Sequence, residues 1–174
     1  VPAEESFPIE EIIGCAEASL HRHGKTLLQY HPVRGFLPLR EWTAERTGVE
    51  VDRIMVGNGS IQLFDLLSRV LYEPEATALV ERPTYDRSIT TLRGAGFDVR
   101  GVPLEADGID LEAFERALDA HRPKLVYLIP DFQNPSGATM SAEKRCATVE
   151  LAARFETQVV IDVPYRPLRD WGED

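Results

Sequence analysis

Ile129-Pro130-Asp131-Phe132-Gln133-Asn134-Pro135-Ser136-Gly137 closes the apolar run from Leu125, and Ile161-Asp162-Val163-Pro164-Tyr165 repeats the pattern with Asp162 28 positions after Asn134. Each stretch joins a short apolar run to polar groups at the point where a buried strand should end, and open α/β sheets place their ligands there. Two such strand ends suggest one shared site. Working outward, Ile54-Met55-Val56, Ala78-Leu79-Val80 and Val99 to Val102 are also short and rich in β-branched residues, as strands buried on both faces should be. With Leu125 to Ile129 and Val159-Val160-Ile161, five strands are expected.

Helical spacing fills the intervals. Leu63, Phe64, Leu66, Leu67 and Val70 recur at that spacing, as do Leu111, Phe114, Ala117 and Leu118, and then Val149, Leu151, Ala152 and Phe155. The alternation predicts an α/β domain with a mostly parallel sheet. Residues 1–51 read differently: Ile9 to Leu20 is helical in pattern, and Tyr30 to Pro38 looks like an extended loop. The expected division is an N-terminal helix and loop arm, 1–51, and a larger domain, 52–174.

The 174 residues, 43% of them apolar, suffice for one domain with a real core. The net charge of −10 is spread along the chain without a Lys/Arg cluster, so a nucleic-acid partner is not expected. No run of ~18 apolar residues or leader-type segment is evident, and a membrane role is not expected either. Cys15 and Cys146 are far apart; with no metal-ligand spacing among them, His21, His23, His31 and His121, a cytoplasmic protein without a metal site is the expectation.

Four motifs carry chemistry. In Val56-Gly57-Asn58-Gly59-Ser60-Ile61 a strand meets glycines just before a helix, whose free N–H groups and dipole suit a phosphate. The plainer reading is a turn at Gly59 with Ser60 as the helix cap. In Glu81-Arg82-Pro83-Thr84-Tyr85, Pro83 ends a strand and Thr84 can cap the next helix, leaving the Tyr85 ring to lie on something flat or simply to pack. Asn134-Pro135-Ser136-Gly137 is a type I turn sequence whose Asn amide can also reach a ligand. Asp162 is a carboxylate at the end of a buried strand, where it should face a cation such as a protonated ring nitrogen, or cap a turn before Pro164. Ser141-Ala142-Glu143-Lys144 matches an acyl-serine spacing, but its companion elements are absent and Ser141 is placed as a helix N-cap.

Taken in order, Tyr30…Gly35…Leu39-Arg40, Asn58-Gly59-Ser60, Glu81-Arg82-Pro83-Thr84-Tyr85, Phe132-Gln133-Asn134-Pro135-Ser136-Gly137 and Asp162-Val163-Pro164-Tyr165 resemble the fold-type I pyridoxal phosphate enzymes, in the class I/II aminotransferase group. The gaps fit the subgroup of aminoadipate and kynurenine aminotransferases. The resemblance implies the N-terminal portion of a three-layer, mostly parallel large domain, truncated before its last strands. It implies pyridoxal 5′-phosphate as cofactor, amino acids and 2-oxo acids as substrates, and a homodimer. Ser60 with the N–H of Ile61 matches the phosphate cradle; many relatives in that subgroup carry Gln at the Ile61 position, so a side-chain contact is lost there while the backbone donor remains. Tyr85 matches the aromatic on the cofactor ring. Asn134 and Tyr165 match the pair on its phenolic oxygen, Asp162 matches the carboxylate on its ring nitrogen, and Tyr30 matches a residue reaching the neighbouring subunit's phosphate.

The Schiff-base Lys of that family follows a Ser or Thr on a later strand and has no counterpart before Asp174; Lys25, Lys124 and Lys144 sit in other contexts. The substrate-carboxylate Arg of the family's small domain is likewise unmatched. The chain alone is therefore expected not to transaminate. A non-catalytic effector domain of a transcription regulator is the alternative, against which stand Asn134 and the Asp162-Val163-Pro164-Tyr165 run. A naturally short paralogue acting as an interaction partner is a third reading, disfavoured by the sheet edge it would expose.

Overall fold

The computed structural model describes residues 3–30 and 32–168; His31 lies outside them. The elements are α1 (Ile9–Leu27), α2 (Leu37–Thr47), α3 (Ser60–Leu71), β1 (Thr77–Arg82), α4 (Asp86–Ala95), β2 (Asp98–Glu105), β3 (Gly108–Ile109), α5 (Leu111–His121), β4 (Leu125–Leu128), α6 (Ala142–Arg154) and β5 (Gln158–Ile161). The chain falls into two compact units, one ending at Gly57 and the other beginning at Asn58.

In the second unit the strands lie in the order β3-β2-β1-β4-β5. β1 pairs in parallel with β2 and β4, and β4 with β5, while the two-residue β3 folds back antiparallel on β2. The expected α/β class and mostly parallel sheet are therefore present. Helical crossovers are what parallel neighbours require, since a tight turn cannot return the chain to the same end of the sheet.

Alternation along the central strands makes two cores. Leu79, Val126 and Leu128 face one way and pack with Phe114 and Leu118 of α5 and Ala152 of α6. Ala78, Val80, Leu125 and Tyr127 face the other way, against Phe64 of α3 and Leu92 of α4. This period-2 division puts helices on both faces of the sheet and makes three layers. Burial on both faces holds for β4, all of whose residues are buried, but not for β2, with one buried residue in eight, nor for β5, which ends the sheet and has none.

Two expectations about elements fail for identifiable reasons. Residues 54–56 are not a sheet strand. Their backbone groups bond within the first unit: the Val56 N–H donates to Arg34 C=O at 3.0 Å, and buried Arg40 donates through Nε to Ile54 C=O at 3.0 Å. Gly35, at φ +95°, brings its backbone so close to this segment that a Cβ there would stand 2.8 Å from Val56 Cβ. The loop expected through Pro38 ends earlier, because Leu37–Thr47 is helical and Pro38 falls in its first turn, where the missing N–H breaks no intrahelical bond. The helix expected over Ile9 to Leu20 runs on to Leu27.

Among the described residues no helix is long and apolar enough to cross a membrane, and no group of three or more His, Cys, Asp or Glu side chains is placed to hold a metal.

Candidate functional site

The C-terminal ends of β1, β4 and β5 and the N-terminus of α3 carry most of the residues singled out above. α3 starts at Ser60, with Gly59 in the cap position at φ +94° and no side-chain cap hydrogen bond. Ser60 is thus the first helical residue, not the cap, and its hydroxyl is not spent on capping. The N–H groups of this first turn, Ser60 and Ile61 among them, lack intrahelical acceptors. A Cβ on Gly59 would meet nothing within 4 Å. Gln62 turns back instead, its Oε1 accepting the Asn58 N–H at 2.7 Å.

Ser60 and Asp162 line one pocket of about 220 Å³, whose walls also include Phe64, Leu67, Tyr127 and Val160. Asp162 is half-buried, and its N–H extends the β4–β5 ladder by donating to Leu128 C=O at 2.9 Å. Its carboxylate accepts a 2.6 Å hydrogen bond from the Tyr127 hydroxyl. Burial first, then the nearby charges of Asp162 and Glu81, push the Tyr127 hydroxyl well above its ordinary pKa, which keeps it a donor.

Asn134 and Tyr165 line a second pocket, of about 410 Å³, with Phe132, Gln133, Pro135, Gly137 and Leu168. A turn is present, but not the expected type I turn over 134–137: the Gly137 N–H passes over Asn134 and donates to Gln133 C=O at 2.5 Å, closing a wider five-residue turn. Tyr85 lies at the N-terminal cap position of α4, half-buried against the α3–α4 core, and lines neither pocket. Thr84, expected to cap α4, does not, and its Oγ1 is buried without a hydrogen-bond partner. Tyr30, in the first unit, is fully exposed. Ser141 does cap α6, accepting the Lys144 N–H at 3.3 Å, which removes it from consideration as a nucleophile.

Several supporting residues were not singled out from sequence. Buried Gln133 bridges the loops: its Nε2 donates to Glu81 Oε2 at 3.2 Å and Pro83 C=O at 2.8 Å, and its Oε1 accepts from the Ser136 N–H and hydroxyl. Arg145 closes the 130–140 loop by donating to the carbonyls of Met140 and Pro130 and to both oxygens of buried Asp131, the shorter bond at 2.8 Å. A carboxylate flanked by apolar residues just past a buried strand was the available signal for Asp131.

Glu81 is only 1% exposed, and burial raises its pKa from 4.5 to about 7 against the opposing pull of the Ile129 N–H and the Gln133 amide. A carboxyl with a folded pKa above its unfolded one stabilises the fold fully below the unfolded value and loses that contribution as pH rises through the folded value. Glu81→Gln keeps an acceptor for both donors without the charge. Its stability relative to wild type should therefore rise from about pH 5 to about pH 8, by up to about 3 kcal/mol. Urea unfolding at several pH values measures this, and parallel profiles would contradict it.

The donor set has the composition a flat, phosphorylated, nitrogen-containing ring requires. Ser60, at a helix N-terminus suited to an anion, and the Asp162 carboxylate, suited to a protonated nitrogen, share one pocket, while the Asn134 amide and the Tyr165 phenol, suited to a ring oxygen, line a second. No ring or phosphate has to displace a capping side chain to enter.

The family model described as aminotransferase class I and II matches residues 4–168. An aromatic-amino-acid aminotransferase 1 from Thermococcus litoralis is 35% identical over 99% of this chain and 44% of its own length. The crystal structure of LysN, an α-aminoadipate aminotransferase from Thermus thermophilus complexed with N-(5′-phosphopyridoxyl)-L-leucine, superposes with a TM-score of 0.89 at 36% identity, covering 95% of this chain and 43% of that one. An uncharacterized HTH-type transcriptional regulator, YisV, of Bacillus subtilis is 28% identical over 87% of this chain and 32% of its own length. The chain spans less than half the length of these relatives.

Proposed function

We propose, from the premise that this chain belongs to the aminotransferase class I and II family, that the full-length protein transfers an amino group from an amino acid to a 2-oxo acid with pyridoxal 5′-phosphate. These residues supply its cofactor half-site. The observation that carries the reading is the pocket that Ser60, at the N-terminus of α3, and Asp162, at the end of β5, line together.

Ser60 and the Ile61 N–H hold the phosphate, where the α3 dipole adds to the attraction. Asn134 and Tyr165 would donate to the cofactor's phenolic oxygen and Asp162 would keep a proton on its ring nitrogen; Tyr85, which lines neither pocket, would take the place of the aromatic on the cofactor ring on the strength of the resemblance alone. When bound, pyridoxal phosphate supplies an electron sink for charge developing at the substrate Cα. Tyr30 reaches the phosphate of a second copy, so the working unit is a homodimer in the cytoplasm. The substrates are amino acids and 2-oxo acids, as the names of the relatives suggest.

The lysine that bonds the cofactor is not one of the three here. Lys124 precedes β4, away from the strand ends that hold the site, and pairs with Glu73 at 2.5 Å. Lys144 is engaged by Glu105 and by Asp107 at 2.8 Å. Lys25 is exposed on α1. The 174 residues by themselves are therefore proposed to bind the cofactor without a covalent bond and not to transaminate.

The test is a panel of amino acids mixed with the full-length protein loaded with pyridoxal phosphate. At least one should convert the cofactor absorption to that of its amine form, and borohydride should fix the cofactor to a lysine other than Lys25, Lys124 and Lys144. No conversion with any amino acid would defeat the reading. It would favour the non-catalytic regulator domain, which the Bacillus subtilis relative keeps as a second reading.

A further inference from the structure

Asp162 does not hold its position by its own strand alone. Tyr127 pairs with Val160 across the parallel β4–β5 ladder, and Asp162 stands two residues beyond Val160, on the same face of the sheet. The tyrosine side chain is long enough to span that diagonal, and its hydroxyl lies 2.6 Å from Asp162 Oδ2, in the range of hydrogen bonds to a charged acceptor. The ring that carries the hydroxyl is itself fixed. It is 1% exposed and lies 4.7 Å from the Phe64 ring, tilted by 41°. Since burial keeps this hydroxyl protonated, the hydrogen bond persists wherever Asp162 is ionised.

We propose that Tyr127 is a positioning residue for cofactor binding: its hydroxyl holds one oxygen of Asp162 and thereby orients the remaining carboxylate lone pairs into the pocket that Tyr127, Ser60 and Asp162 line together. The proposal rests on the reading of Asp162 as the cofactor's ring-nitrogen partner. A free carboxylate at the end of β5 rotates about its side-chain bonds, and each rotamer frozen before binding is one that binding need not freeze. Tyr127 does this from the face of β4 that packs on α3 and α4, and so links that core directly to the site.

The competing account is that Asp162 merely satisfies a buried phenol. A double-mutant cycle in the full-length protein separates the two, read as affinity for pyridoxamine 5′-phosphate, which forms no covalent bond to lysine. Tyr127→Phe keeps the ring packed on Phe64 and removes only the hydroxyl. It should weaken binding about tenfold in the wild-type background. In the Asp162→Ala background the same change should alter binding less than about twofold, because Tyr127 acts through the carboxylate that is gone. An equal loss in both backgrounds assigns Tyr127 a packing role and overturns the proposal. Unchanged affinity of Tyr127→Phe alone, with Asp162→Ala still impaired, overturns the proposal and leaves the reading of Asp162 standing. Wild-type affinity in Asp162→Ala overturns both.

Discussion

Asp162→Ala in the full-length protein is expected to slow the amino-acid half-reaction about 10³-fold, roughly 4 kcal/mol of barrier. The carboxylate sits where β5 ends, tied by its N–H to Leu128 and by its side chain to Tyr127, so it is already oriented before any ligand arrives. Its negative charge favours the protonated form of a nearby ring nitrogen, and that form is the better acceptor of electrons from Cα. The interaction grows as charge develops, so its loss should fall mainly on the rate of the chemical step and less on substrate affinity. Asp162→Glu, which keeps the charge at a displaced position, should recover part of the rate. A loss of less than about tenfold in Asp162→Ala would remove Asp162 from the chemistry.

The second large effect is on stability. Arg145→Ala should destabilise the fold by about 3 kcal/mol, toward the lower end of what breaking a buried ion pair costs. Asp131 has no exposed surface, and Arg145 reaches both of its oxygens while also donating to Pro130 and Met140 carbonyls at 3.1 and 2.9 Å. Arg166, half-exposed and 3.6 Å from Asp131, is the cation that takes over in the variant, which moderates the loss. The loop so closed carries Gln133 and Asn134, and weaker cofactor binding should accompany the lower stability. Adding Asp131→Asn to Arg145→Ala removes the buried charge and should restore part of the lost stability. Urea unfolding of the single and double variants decides this, and an unchanged midpoint for Arg145→Ala would refute it.

Much of this site was legible because strand ends have a sequence signature. An apolar run followed by Asp or by a Pro-containing polar segment marks where a strand gives way to a loop, and the ends of buried β4 and of edge strand β5 both carry it. The same signature misled at Ile54-Met55-Val56, where three apolar residues look like a sheet strand but bond to Arg34 and Arg40. Pattern records what a segment can bury and is silent on which partner satisfies its backbone. Ser60 illustrates a finer limit: Gly-Ser before a helix fits either residue as the cap, and only the backbone angles put Gly59 there. Tyr127 and Asp162 lie 35 positions apart. Their contact follows from the parallel register of β4 and β5, which neither local run encodes. Glu81, Gln133, Asp131 and Arg145 went unseen for the same reason, since each is explained by a partner distant in sequence.

The protonation state of the cofactor ring nitrogen is the most direct measure of the central claim. Full-length protein loaded with ring-¹⁵N pyridoxal phosphate should show a protonated nitrogen at neutral pH, and the Asp162→Ala variant a deprotonated one. A nitrogen in the same state in both proteins would contradict the assignment of Asp162, and with it the half-site these strand ends are held to form.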